Sequence, residues 1–129
     1  MVLILFNAFG STFAASDFVA KHSIKDASVW KKGEPLGKKK KHEDSGFSLN
    51  LKELDTAIEL APLLESFIRE SESWLVPLLT QPVDRLLNIG MTVGEEASYV
   101  SCIELEAKLL TLLVENKIGL HICGYPTSD

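Results

Sequence analysis

Gly46-Phe47-Ser48-Leu49-Asn50-Leu51 puts Phe47, Leu49 and Leu51 on one side of an extended chain and Ser48 and Asn50 on the other. Side chains of a strand alternate with a period of two, so this is a strand with one dry face and one wet face. Such a strand needs a sheet beside it and an apolar layer on its dry side. Just before it, Gly33 to Asp44 holds Gly33, Pro35, Gly37 and the run Lys38-Lys39-Lys40-Lys41, which is turn chemistry throughout. Further back, Ile24 to Lys32 carries Ile24, Val29 and Trp30 and reads as a partner strand with an irregular start. The two strands make a hairpin around a long basic loop, residues 33–44.

Outward from the hairpin, Val2 to Phe9 is rich in β-branched and aromatic residues and reads as a buried first strand. Phe13, Phe18, Val19 and His22 recur at helical spacing behind Ser11 or Thr12 as a cap, predicting a helix from Phe13 to Lys21. On the other side, residues 52–87 are helical in character. Leu60, Leu63, Leu64, Phe67 and Ile68 form a stripe. Pro62 fits the first turn of a helix starting near Leu60, because an interior proline removes an amide donor and clashes one turn back. Trp74 to Leu79, with Trp74 in the core, and Val83 to Leu87 continue as shorter pieces cut by Pro77 and Pro82. Ile89, Met91 and Val93 alternate as a strand, which Tyr99 to Ile103 extends or pairs. Glu104 to Asn116 is the best helix, with Leu105, Leu109, Leu112 and Leu113 on one face. Ile118, Leu120 and Ile122 alternate with Gly119, His121 and Cys123 in a last strand from Lys117 to Gly124, and residues 125–129 are a tail. The order β-α-β-β-α-(α)-β-α-β predicts an α+β fold: one sheet of about five strands, helices on one face, a ferredoxin-like variant with an added strand and helix.

A length of 129 residues suits a single domain, and 46% hydrophobic with 24% charged residues excludes a disordered chain. Two cysteines exclude a disulfide scaffold, and no apolar run is long enough to span a bilayer. A net charge of −5 argues against general nucleic-acid binding. The charge is uneven. Residues 1–42 carry eight lysines and three acids, while residues 43–129 carry five basic residues and fifteen acids. Met1 to Phe6 followed by Phe13-Ala14-Ala15-Ser16 has part of a secretion signal, but no Lys or Arg precedes the apolar run, so a cytoplasmic protein with reduced Cys102 and Cys123 is expected. Neither cysteine has a second one beside it at metal spacing, which argues against zinc.

Chemistry-bearing patterns are sparse. Cys102 and His121 are the pair to weigh as nucleophile and base, with His22 and His42 as further bases. Cys102 lies in an apolar stretch, where a thiol is ordinarily an inert small hydrophobe. His121 points away from Leu120 and Ile122 and reads as solvated or hydrogen-bonded. Glu95-Glu96 and Glu104-Glu106 do not face each other, and Glu104 suits the start of a helix. GxGxxG, P-loop and HExxH patterns are absent. The expectation is a protein that is not an enzyme and uses no cofactor or metal.

Three segments carry a family resemblance: Val29-Trp30-Lys31-Lys32-Gly33-Glu34, then Ser45-Gly46-Phe47-Ser48-Leu49, then the closing Ile118-Gly119-Leu120-His121-Ile122-Cys123-Gly124-Tyr125. Together they resemble the bacterial family known as domain of unknown function 4279. The resemblance implies a small protein with an opening strand, a helix, a Trp-containing basic segment before a Ser-Gly-Trp strand, and a final helix and strand ending near an aromatic residue. Phe47 stands where that family usually has Trp. The family has no assigned activity, and some members look like immunity proteins beside bacterial toxins.

The expected function is therefore to bind and neutralise a cognate toxin, such as a basic nuclease, through acidic residues. Candidates are Glu53, Asp55, Glu59, Glu65, Glu70 and Glu72, or Glu95, Glu96, Glu104 and Glu106. The alternative is a small-ligand or anion site at the basic hairpin, built from Trp30, Lys31, Lys32, Lys38, Lys39, Lys40 and Lys41. Trp30 itself is either a hairpin anchor or a partner contact. No membrane partner is expected, and the oligomeric state stays open.

Overall fold

The computed structural model describes residues 1–55, 59–93 and 102–126. In chain order they form β1 (Val2–Gly10), α1 (Ala15–Lys21), β2 (Ser28–Trp30), β3 (Pro35–Leu36), β4 (Lys40–Lys41), β5 (Ser45–Leu54), α2 (Leu60–Glu70), α3 (Glu72–Leu78), β6 (Asp84–Val93), α4 (Ala107–Glu115) and β7 (Ile118–Pro126). The fold is α+β. Among the described residues it has four helices and a mixed five-stranded sheet of order β2-β5-β1-β6-β7. β1 pairs antiparallel with β5 and β6, β2 antiparallel with β5, and β7 parallel to β6. β3 and β4 form a separate two-stranded ribbon.

Alternation along β1 sorts the sheet into two faces. Val2, Ile4, Phe6 and Ala8 are buried, whereas Leu3 and Leu5 are 42% and 38% exposed. Phe6 lies opposite Leu49 and Leu87, so the dry positions of the three central strands share one face. All four helices add side chains to the same core: Phe18 from α1, Leu64 from α2, Trp74 from α3 and Leu113 from α4. Phe6 sits at the centre, with ring centroids 6.2, 5.4 and 5.6 Å from Phe47, Phe67 and Trp74. The other face presents Leu3, Leu5, Asn88, His121 and Cys123.

Several expected boundaries move. Val83 to Leu87 is not a helical piece, because residues from Asp84 onward form the first half of β6 against β1. An apolar run of that length fits a buried strand as well as a buried helix, and only pairing decides. β2 is shorter than expected, Ser28–Trp30, since Asp26 takes a φ of 60° before it. β5 continues to Leu54 through a register shift opposite Ile4 and Leu5, which makes Leu51 the extra residue and returns Leu54 to the core. α4 starts at Ala107, so Glu104 lies in the irregular segment before the helix rather than opening it, and Glu106 is the N-cap. Tyr125 and Pro126 belong to β7 rather than to a tail. Most of the expected piece Tyr99 to Ile103 lies outside the described residues.

Two features lock the end of the sheet. Arg85 Nη1 donates to the Leu78 carbonyl at 2.9 Å and Nε to the Lys117 carbonyl at 3.3 Å, tying the end of α3 and the α4–β7 turn to β6. Burial pushes this guanidinium below its usual value, with Asp84 acting the other way, and arginine keeps its charge at neutral pH regardless. Lys117 ends α4 in the left-handed region at φ 52°. That conformation costs an L-residue with a Cβ about 1–2 kcal/mol, partly recovered because glycine loses more chain entropy on folding. Lys117→Gly is expected to raise the unfolding free energy by about 0.5–1 kcal/mol, and Lys117→Val to lower it, in urea titrations.

Candidate functional site

Three of the ten candidate acids come together. α2 supplies Glu65, and the irregular segment before α4 supplies Glu104 and, at its N-cap, Glu106. They line a groove of about 500 Å³ whose apolar wall includes Ala61, Pro62 and Leu109. α2 reaches this place because Leu60, Leu64 and Ile68 face the core, which turns Glu65 to the side that meets α4. Lys108 Nζ lies 3.5 Å from Glu65 Oε1, with the two side chains 67% and 29% exposed. A pair that wet contributes little to stability, so the groove keeps a net negative balance. Cys102 also lines it and is exposed, unlike the inert buried thiol expected from its neighbours.

The other acids are dispersed. Glu53 sits on the open sheet face beside Leu3, and Asp55 follows β5. Glu59 occupies the N-cap of α2, and Glu70 and Glu72 flank Ser71 between α2 and α3. Glu95 and Glu96 lie outside the described residues.

The basic hairpin divides: Trp30, Lys31 and Lys32 together border one cavity of about 280 Å³ beside α1, which Asp17 also lines. Lys40 and Lys41 border another, together with Glu43 and Asp44. Lys38 and Lys39 stand exposed in the β3–β4 turn. Trp30 serves as an anchor: its Nε1–H donates to Asp44 Oδ1 at 3.2 Å, and its ring stacks on His42 with centroids 5.6 Å apart. Gly46 lies directly beneath that ring, so a Cβ there would meet Trp30 Cζ2 at 2.5 Å.

The sequence reading passed over one cluster. His121 Nδ1 is 2.9 Å from Asn88 Oδ1, and Cys123 Sγ is 3.6 Å from His121 Nε2. Asn88 arrives because β6 and β7 are parallel and pair Asn88 with His121. Cys123 arrives because residues two apart on a strand share a face. With a carbonyl oxygen as partner, Nδ1 carries the proton, and Cys123 Sγ, 3.6 Å from Nε2 and 4.0 Å from Nδ1, lies beside the ring and off the Nε2 lone-pair axis. The spacing His121-x-Cys123 was the available signal, whereas Asn88 is found only through the pairing. His121, expected to be solvated or hydrogen-bonded, is exposed and pairs with Asn88, with Cys123 rather than Cys102 as the neighbouring thiol. Proton transfer from this thiol to Nε2 would require the sulfur to move onto the lone-pair axis, which it does not occupy. No described cavity is lined by Cys123 or His121, and catalysis favours a concave, water-excluding site.

No family model, curated protein or solved structure matches this chain. Function is therefore read from its own residues. Among the described residues, no helix is long and apolar enough to cross a membrane, and no three His, Cys, Asp or Glu side chains converge as a metal set within one copy.

Proposed function

We propose that this is a non-enzymatic binding protein of the ferredoxin-like class that captures a basic protein, in the manner of an immunity protein neutralising a bacterial toxin. The observation that carries the reading is the groove between α2 and α4, where Glu65, Glu104 and Glu106 surround an apolar wall with Lys108 as the accompanying cation. An apolar wall with a charged rim is the anatomy of a docking surface, and a cleft of net negative charge speeds encounter with a basic partner. The motif resemblance to domain of unknown function 4279 points the same way. For the fold, β6-β1-β5-β2 runs antiparallel throughout with interleaved crossovers, supporting the ferredoxin-like reading, and β7 with α4 extends it.

The test is a pull-down of the tagged chain from cells that co-express the reading frame immediately upstream, followed by a growth assay. A one-to-one complex that rescues growth is the expected result, and its absence rejects the toxin reading. The triple change Glu65→Gln, Glu104→Gln and Glu106→Gln is expected to slow association about tenfold or more at low salt, with most of the difference gone in high salt. An unchanged association rate rejects the acidic groove as the docking site.

A further inference from the structure

We propose that two copies of this chain join along their β7 edges into one continuous sheet, with the outer flanks of their α4 helices packed together above the junction. β7 is an edge: among the described residues it pairs with β6 only. Its nine residues include no Lys, Arg, Asp or Glu, and its proline, Pro126, is the last of them. Charges, interior prolines and short length are what ordinarily keep an edge from pairing. The opposite edge of the same sheet has that protection, since β2 is three residues long and runs straight into Lys31 and Lys32.

The helix beside this edge is apolar on the same side. α4 packs on α2 and β7, and α2 lies over β1, where Phe67 meets Phe6 at 5.4 Å. Lys108 reaches Glu65 of α2 at 3.5 Å, which marks the flank of α4 that faces the middle of the sheet. Successive helical residues turn by about 100°, so Glu115 falls within about 20° of Lys108 on that flank. Leu110 and Val114 stand about 120–160° around from Lys108, on the flank that points past β7. They are 41% and 74% exposed. On the strand, Ile122 pairs with buried Ile89 and so faces the helix layer, yet it is 47% exposed. The open edge and the apolar flank form one surface.

The occupant that fits is a second copy. Each chain carries a net −5, but β7 has no charged residue and both charged residues of α4 lie on its other flank, so two copies meet here without burying like charges. Antiparallel pairing about a two-fold at Ile122 uses all of Ile118–Pro126 on both copies. Each Gly119 then faces a Tyr125, each Gly124 faces a Leu120, and Ile122 faces Ile122. A nine-residue strand is about 30 Å long and α4 about 14 Å, each tier about 10 Å deep, so the two copies cover about 900 Å² in projection. That is below the roughly 1,200–2,000 Å² of standard stable complexes, so the dimer is reversible, with a dissociation constant in the micromolar range. The acidic groove, bordered by Lys108, lies on the other flank of α4 and stays open.

The experiment is sedimentation of the full chain, kept reduced, from micromolar to near-millimolar concentration. A monomer–dimer equilibrium is expected. Ile122→Lys sets two lysines against each other at the two-fold and is expected to weaken association about tenfold or more, as is Ile122→Glu, with folding checked by circular dichroism. An equimolar mixture of the two variants is expected to associate again, because residue 122 faces its own copy. Val114→Asp probes the helix tier at a side chain 74% exposed, and it is expected to weaken association severalfold; it carries the test should an Ile122 variant fail to fold. Val76→Lys, 51% exposed on α3, is the control and is expected to leave association unchanged. A monomer at every concentration, a dimer untouched by Ile122→Lys or by Val114→Asp, a mixture that stays monomeric, or an equal loss from Val76→Lys would each overturn the proposal. None of these outcomes bears on the acidic groove.

Discussion

Replacing Phe6 by alanine is expected to lower the unfolding free energy by about 3–5 kcal/mol, a large part of the roughly 5–15 kcal/mol that holds an ordinary domain. Phe6 is fully buried on the central strand, and its ring meets Phe47, Phe67 and Trp74. Its removal empties a space bounded by β5, α2 and α3 at once. β1 is hydrogen-bonded on both sides, so the backbone beneath cannot close inward. The comparison is Leu3→Ala on the same strand, where the side chain is 42% exposed and faces away from the core. That change is expected to cost less than about 1 kcal/mol. Urea unfolding followed by the fluorescence of Trp74 measures both. Equal losses would mean that the two faces of the sheet do not differ as described.

Gly46→Ala is the second large effect, expected to cost about 2–3 kcal/mol although it adds a single methyl group. A Cβ at Gly46 would stand 2.5 Å from the Ala8 carbonyl oxygen, 2.5 Å from Trp30 Cζ2 and 2.8 Å from Phe9 Cβ. Two of the three obstacles belong to β1, whose register with β5 is fixed from Gly10 to Val2. Trp30 is the group that can yield, and its displacement breaks the hydrogen bond to Asp44. The Trp30 indole N–H resonance should therefore shift in proton–nitrogen spectra while that of Trp74 stays in place. Gly124→Ala is the control, since a Cβ there meets Val93 at 3.4 Å, an ordinary contact, and is expected to change stability by less than about 0.5 kcal/mol. A stable Gly46→Ala protein with an unmoved Trp30 resonance would show that the hairpin does not rest on that glycine.

The candidate site was only partly legible in the sequence. The acids of residues 43–129 were visible as a surplus, yet helix phase and the path before α4 chose Glu65, Glu104 and Glu106 from ten. Glu70 is on the same helix as Glu65, but it ends α2 beside Ser71 instead of meeting α4. The lysine run was equally visible, and the ribbon divides it between a turn, with Lys38 and Lys39, and a cavity bordered by Lys40 and Lys41, away from Lys31 and Lys32. The spacing of His121 and Cys123 places them on one face but says nothing of the strand alongside, so their partner on β6 was not legible. Asn88 lies 33 residues from His121, a separation that no local pattern bridges.

Local physics was sufficient for the elements that can be recognised without neighbours. A run rich in β-branched and aromatic residues marked β1, alternation marked the first half of β5 and β7, and the stripe Leu60, Leu64 and Ile68 with Pro62 in the first turn marked α2. These follow from side-chain period and proline sterics, which act within a few residues. The α+β class follows from their order. Tertiary structure alone decided the rest: that 84–87 is strand and not helix, that β7 runs parallel to β6 and carries through Pro126, and that β5 shifts register at Leu51. A short apolar run is compatible with either backbone, and the choice falls to whichever partner buries it and satisfies its amides. For this chain that partner is β1, and through β1 the order of the sheet sets which side chains meet.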